Sequence, residues 1–162
     1  MLVGEQPGDV EDRSGEPFVG PAGRILDEAL EAAGISRGEV YVTNIVKHFK
    51  WRRSPGGKRR LHQRPDRAEV EACVPWLRAE VARIGPALIV CLGATAAQGL
   101  LGSAFRVTRQ RGQVLPTALG SPAMATIHPS AVLRAPDSES RAEALEGLIV
   151  DLRKARATGL GS

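Results

Sequence analysis

Two periodicities of apolar residues alternate along this chain. Short uninterrupted apolar runs occur at Leu2-Val3, Val40-Tyr41-Val42, Ala87-Leu88-Ile89-Val90-Cys91-Leu92, and Ala123 to Ile127. Runs of this length without polar breaks suit strands of a parallel sheet covered on both faces. Between them, apolar residues recur at helical spacing. Ile25, Leu26, Ala29, Leu30 and Ala33 predict a helix over 23–33, with Gly34 as its stop. Val70, Val74, Leu77, Val81 and Ile84 predict a second, ended by Gly85-Pro86. Gly93-Ala94-Thr95 turns into a third that runs to Leu101, and a last helix covers residues 139–156. The alternation predicts one three-layer α/β/α domain over 1–156, with a central, mainly parallel sheet and a frayed Gly-rich tail at 157–162.

That architecture gives the polar residues a meaning. Glu5-Gln6, Asn44, Thr95 and His128 each follow directly after a predicted strand. In an open parallel sheet the carboxyl ends of the strands share one edge, where ligands bind. These four positions, distant in sequence, are therefore expected to converge on one cleft. Each has a plain structural alternative when taken alone: a tight turn at Gly4-Glu5-Gln6-Pro7-Gly8, a cap at Asn44, a strand-to-loop break at His128-Pro129-Ser130. Together with Phe18 they supply a carboxylate, an amide that donates and accepts, an imidazole and an aromatic ring. An amide, a stacked ring and an imidazole are what a pocket needs to hold a flipped-out base by its hydrogen-bonding edge.

Composition narrows the setting. The 162 residues suffice for one domain with a real core, and 43% hydrophobic with 25% charged residues is ordinary for a globular protein. There is no apolar run of the ~20 residues a membrane span requires, and no signal-peptide pattern at the start. Cys73 and Cys91 do not make a disulfide framework, so a reducing cytoplasm is expected; the chain is also expected to be a monomer. Charge changes the picture more. The net charge of +4 is modest, but nine Lys or Arg residues lie between Lys47 and Arg67 with Asp66 as the one acid. Ser54-Pro55-Gly56-Gly57 breaks this segment, and Lys58-Arg59-Arg60-Leu61-His62 places a single imidazole among cations. Such a loop repels itself unless a polyanion is near, and nucleic acid is the commonest polyanion. The plain reading of the segment is a solvated phosphate-binding loop with an incidental histidine. A second basic group, Arg106, Arg109 and Arg111, reads as a solvated face.

The segments GEQPGDVEDRSGEPFVGPAGR, VTNIVKH, LGATAA and HPS occur in the order and rough spacing of the uracil-DNA glycosylase superfamily, near its iron–sulfur-containing family four. Gln6 after Glu5, His48 after Val46-Lys47, and the inserted Gly56-Gly57-Lys58-Arg59-Arg60-Leu61-His62 resemble the branch called UdgX. That branch excises uracil and then becomes covalently attached to DNA through the histidine of the insertion. The resemblance spans Gly4 to about Arg156 and implies a division of labour. Phe18 would stack on uracil, Asn44 would read its polar edge, and Gln6 and Asp9 would shape the uracil loop with Asp12. His128 would donate to the uracil oxygen that gains charge as the glycosidic bond breaks. Glu5 would offset the positive charge of the oxocarbenium-like sugar, and His62 would attack C1′ in place of water. Lys58, Arg59, Arg60, Ser130 and Arg134 would contact phosphate, with single-stranded uracil-containing DNA as partner. Trp51 would either stack on a base or cap the basic loop against the domain.

The resemblance also implies a [4Fe–4S] cluster, and here the chain departs from the pattern. Relatives of this kind carry an amino-terminal CxxC pair, whereas this chain starts three residues before its first motif. Cys73 matches a ligand position, and His48 stands where family four has its other internal cysteine. Two candidate ligands cannot hold a cubane that takes four. The expectation is an absent or incomplete cluster, or a protein that begins upstream of Met1. Two further readings stay open: an ordinary turning-over glycosylase in which His62 touches only phosphate, and a non-catalytic binder of single-stranded or abasic DNA.

Overall fold

The computed structural model describes residues 1–159. Among these are six strands: β1 (Leu2–Gly4), β2 (Val42–Asn44), β3 (Trp51–Arg53), β4 (Arg60–His62), β5 (Ile89–Leu92) and β6 (Ala123–Thr126). Four of them form the central sheet in the order β2-β1-β5-β6, each neighbour pair parallel. The other two pair with each other as an antiparallel hairpin. The helices are α1 (Asp9–Ser14), α2 (Pro21–Ala32), α3 (Arg67–Ile84), α4 (Ala94–Leu101), α5 (Val107–Gln110), α6 (Pro129–Leu133) and α7 (Ser138–Gly159), with a 3₁₀ turn at Arg37–Glu39.

The uninterrupted apolar runs are explained by two cores, one on each face of the sheet. Leu2, Val90, Leu92 and Met124 point to one side and pack with Leu26 and Leu30 of α2, Val132 of α6, and Leu148 and Leu152 of α7. Val3, Ile89, Cys91, Ala123 and Ala125 point to the other and pack with Val70, Leu77 and Val81 of α3 and Ala96 and Ala97 of α4. Successive strand residues alternate faces, so a strand buried on both sides has no solvent-facing position left to be polar. The result is the three-layer α/β/α architecture with a parallel sheet.

Boundaries differ from the expectation where local chemistry intervenes. The second strand begins at Val42, because Tyr41 is 41% exposed and only its carbonyl joins the sheet, accepting from the Leu2 N–H at 2.8 Å. The helix expected at 23–33 starts two residues earlier, at Pro21, a proline in its first turn where no intrahelical N–H is needed. In α3 the helix reaches back to Arg67 because Asp66 caps it. The Asp66 carboxylate accepts from the Glu69 N–H at 3.0 Å, and the Glu69 carboxylate accepts from the Asp66 N–H at 2.8 Å. Helix α7 runs to Gly159, three residues past the expected end, and the rest of the predicted tail lies outside the described residues. The short helix α1 has no buried residue, so no apolar period announces it. Among the described residues no helix is long and apolar enough to cross a membrane. With all four sheet strands parallel, their carboxyl ends, at Gly4, Asn44, Leu92 and Thr126, lie along one edge.

Candidate active site

A cavity of about 560 Å³ opens at that edge, and Glu5, Asn44, Thr95 and His128 all line it, joined by Phe18 and His62. The volume is that of a small-molecule site. Each side chain is placed by a strand end. Asn44 closes β2 opposite Gly4 of β1. Glu5 follows β1, its carbonyl accepting from the Val46 N–H at 2.9 Å. Thr95 sits in the first turn of α4, after Gly93. That glycine has φ of 93°, and a Cβ on it would come within 2.9 Å of the His128 Cβ, so strand β5 and the His128 turn can approach this closely only without a side chain there. His128 is the N-cap of α6.

Phe18 holds a left-handed backbone, with φ of 55°, which is uncommon for a bulky side chain and persists only where its surroundings enforce it. Two contacts do so. The Glu11 carboxylate of α1 accepts from the Gly20 N–H at 2.8 Å, pinning the loop from outside. The buried Phe18 ring lies against Gly4, where an added Cβ would be 2.6 Å from it. The ring stands 5.7 Å from that of His128, tilted by 35°.

The polar groups of the cleft are held in specific states. The Nδ1 atom of His128 accepts from the Ser130 backbone N–H at 3.1 Å and lies 2.8 Å from its hydroxyl. A backbone N–H can only donate, so Nδ1 is unprotonated and the ring proton resides on Nε2. Desolvation lowers the His128 pKa to about 4; the Glu5 charge opposes this, while Arg134 and His62 add to it. His128 is thus a neutral N–H donor at physiological pH. Asn44 is buried, and its Oδ1 has no partner among the described residues. An unsatisfied buried carbonyl costs about 1–3 kcal/mol, and such orphans mark places where a ligand completes the bonding. Glu5 is held at both oxygens. One accepts a close hydrogen bond from the Thr95 hydroxyl, and the other lies 3.0 Å from His62 Nε2. Arg64 donates to the same Thr95 oxygen at 3.2 Å and to Gln98 at 3.2 Å. In the sequence Thr95 stands out only by its position after a strand, and Arg64 and Glu11 do not stand out at all. The one sequence signal for Arg64 was its place two residues after His62.

The basic segment is a hairpin, not an irregular loop. Ser54 to Gly57 closes it, with Pro55 and then Gly56 at φ of 85°, and the Gly57 N–H donates to the Ser54 carbonyl at 2.8 Å. Proline followed by a left-handed glycine is the pattern of a type II turn. Gln6 ties the ribbon down. Its side chain accepts from the Lys50 N–H at 3.0 Å and donates to the carbonyls of Lys50 and Gln63, at 3.3 and 3.0 Å. Gln6 therefore lines the cleft while its polar atoms serve the hairpin, which departs from the expected uracil contact. Arg60 departs too: its guanidinium is taken up by Asp9, in a close pair, and by Asp12 at 2.6 Å, so it is not a free phosphate contact. Asp9 is correspondingly a hairpin anchor and does not line the cleft. Ser130 likewise spends its hydroxyl on His128. Lys58 and Arg59 are exposed with no carboxylate partner among the described residues, and the exposed Arg134 lines the cleft.

The donors present do not make up a cluster site. The buried Cys73 thiol accepts from the Lys47 N–H at 3.5 Å, while the His48 ring is exposed and lies 3.8 Å from Glu69. Cys91 is sealed in the core, where burial pushes its thiol up to about 12, far from the thiolate a metal needs. Among the described residues no three His, Cys, Asp or Glu side chains come together as a metal site.

Comparison with known proteins gives the chain a family. The family described as the uracil DNA glycosylase superfamily matches residues 1–152. A type-4 uracil-DNA glycosylase of Thermotoga maritima is 38% identical over 158 residues, covering 97% of this chain and 76% of that protein. One of Pyrobaculum aerophilum is 38% identical over 143 residues, covering 84% of this chain and 68% of that protein. A DNA polymerase of Bacillus phage SP01 is 31% identical over 156 residues, covering 91% of this chain but only 16% of the polymerase. With nearly the whole parallel-sheet domain matched, strand ends and cleft included, the chain belongs to the uracil DNA glycosylase superfamily.

Proposed function

We propose that this protein excises uracil from DNA. The observation that carries the reading is the convergence, in one cleft, of an unpartnered buried amide (Asn44), a neutral Nε2–H donor (His128) and a carboxylate held at both oxygens (Glu5). The names of the type-4 relatives point the same way. Uracil turned out of the strand would stack on Phe18 and pair its amide edge with Asn44. As the C1′–N1 bond breaks, its electron pair passes to the base, and His128 Nε2–H stabilises the charge that gathers on the uracil oxygen. Glu5 offsets the positive sugar left behind. In the turning-over form, water then adds to C1′ and gives up a proton. The relatives' names favour that form.

One contact favours a second ending. The oxygen of Glu5 that would orient the attacking water is instead 3.0 Å from His62 Nε2. If the Nε2–H proton passed to Glu5 and the electron pair it left behind closed on C1′, the products would be a neutral imidazole bonded to the sugar and a protonated carboxyl. The protein would then stay attached to its DNA and act once. A denaturing gel with a uracil-containing single-stranded oligonucleotide, run beside an assay for free uracil, tests both. Uracil release is expected from the native chain, with a detergent-stable one-to-one adduct that His62→Ser abolishes while release persists. Release without an adduct reduces the reading to ordinary turnover, and no release from either chain defeats it.

A further inference from the structure

In the hairpin, Trp51 is the direct cross-strand partner of His62. Such partners leave a two-stranded ribbon on the same face with Cβ atoms about 5 Å apart, and Arg53 and Arg60 share that face two residues on. Beside it lies a groove of about 510 Å³ lined by Trp51, Arg53, Lys58 and Arg59, together with Arg60 and Asp9. Asp9 is its one carboxylate, and it is already paired with Arg60 and Arg13. Trp51 is 37% exposed, and the Arg60 guanidinium lies over its ring, 5.4 Å from the centre. An aromatic ring packed as a cap would be covered by the domain. This one stands in a cationic groove, the combination of stacking surface and phosphate contacts that binds unpaired nucleic acid.

Resting on the reading that uracil DNA enters with its sugar at Glu5 and His62, we propose that Trp51 is a stacking subsite for the nucleotide next to the uracil. Arg53, Lys58 and Arg59 take the phosphates beyond it. A separation of about 5 Å between the two side chains is on the scale of one nucleotide step, ~3.4 Å when stacked and more when extended. A neighbouring base inside a duplex keeps its face against the next pair and cannot reach the indole. The subsite therefore selects single strands or opened ends.

The test is binding, by fluorescence anisotropy, of a short single strand carrying 2′-fluoro-deoxyuridine, whose glycosidic bond resists cleavage. Three oligonucleotides are compared: intact, with an abasic tetrahydrofuran on the 5′ side of the uracil, and with one on the 3′ side. For the native protein, one of the two abasic strands should bind about tenfold more weakly or worse, and the other nearly as well as the intact strand. Trp51→Ala should lose a similar factor on the intact strand and nothing further on the weakened one, and Trp51→Phe should regain most of it. Equal binding of all three strands by the native protein overturns the subsite without recourse to any variant. So does a Trp51→Ala loss of equal size on all three. Failure of the underlying reading shows up separately, as no uracil released from an unmodified deoxyuridine strand.

Discussion

The cleft and the hairpin touch through Glu5 and His62 but are held by different forces. The side chains of the cleft hang from strands whose residues are buried on both faces, and its ring, Phe18, is itself buried. The hairpin has no fully buried residue in β3 or β4. A two-stranded ribbon is marginal by itself in water. This one is held by the three Gln6 hydrogen bonds, by Arg60 between Asp9 and Asp12, and by Lys50 on Asp66 and Glu69. The proposed base contacts thus sit on rigid elements, and the imidazole proposed to meet the sugar sits on an element fastened by partly exposed charges. Interactions of that kind are weakened by salt and by solvent. The two halves of the proposed chemistry should therefore fail separately.

The largest separation should come from His128. His128→Ala removes the donor aimed at the developing charge, and loss of one such donor slows catalysis by about 10²–10³-fold. Single-turnover uracil release should fall by that factor, and any adduct should fall with it, since attachment follows cleavage. Release at the native rate would move the base-binding site elsewhere.

Arg60→Ala should produce the opposite split. It frees the ribbon that carries His62 from Asp9 and Asp12 while leaving Glu5, Phe18, Asn44 and His128 untouched. Misplacing a reacting group by about 1 Å costs up to ~10²-fold, so adduct formation should slow by about ten- to hundredfold while uracil release changes far less. Parallel losses in both steps would mean that the hairpin and the cleft form one unit.

The smallest effect is on stability against pH. His128 has a lowered pKa of about 4 in the folded chain against an ordinary value of 6.5, so between these values the unfolded chain binds more protons than the folded one. Stability should therefore fall as pH drops from 6.5 toward 4 and level off above that window. Thermal unfolding across the range should show this slope, and His128→Asn should flatten it. Uracil release should hold through neutrality and decline only as pH nears 4. An unchanged slope in the variant would assign the acid sensitivity to other groups.

The elements that carry the cleft were legible along the chain because each is a local pattern. An apolar run followed at once by Asn44, Thr95 or His128 states both a strand and where it ends, and parallel strands bring such ends together. The hairpin was not legible as structure. Read locally, nine cations with a single acid describe a self-repelling loop, and Arg60 reads as a phosphate contact. The carboxylates that answer Arg60 lie 51 and 48 residues away on α1, a helix with no apolar period to reveal it. Gln6 reads as part of the base pocket until its partners, 44 and 57 residues on, come to its side.

By itself, then, the sequence determined the parallel sheet, its two cores and the residues at its carboxyl edge, since burial on both faces demands unbroken apolar runs and ends them with polar ones. The tertiary structure alone decided which polar group meets which. It set Glu5 against Thr95, 90 residues distant, and against His62, and it gave Ser130 to His128 rather than to solvent. Hydrogen bonds and ion pairs of that kind depend on angles and distances between side chains that only the packed elements fix, and no periodicity along the chain encodes them.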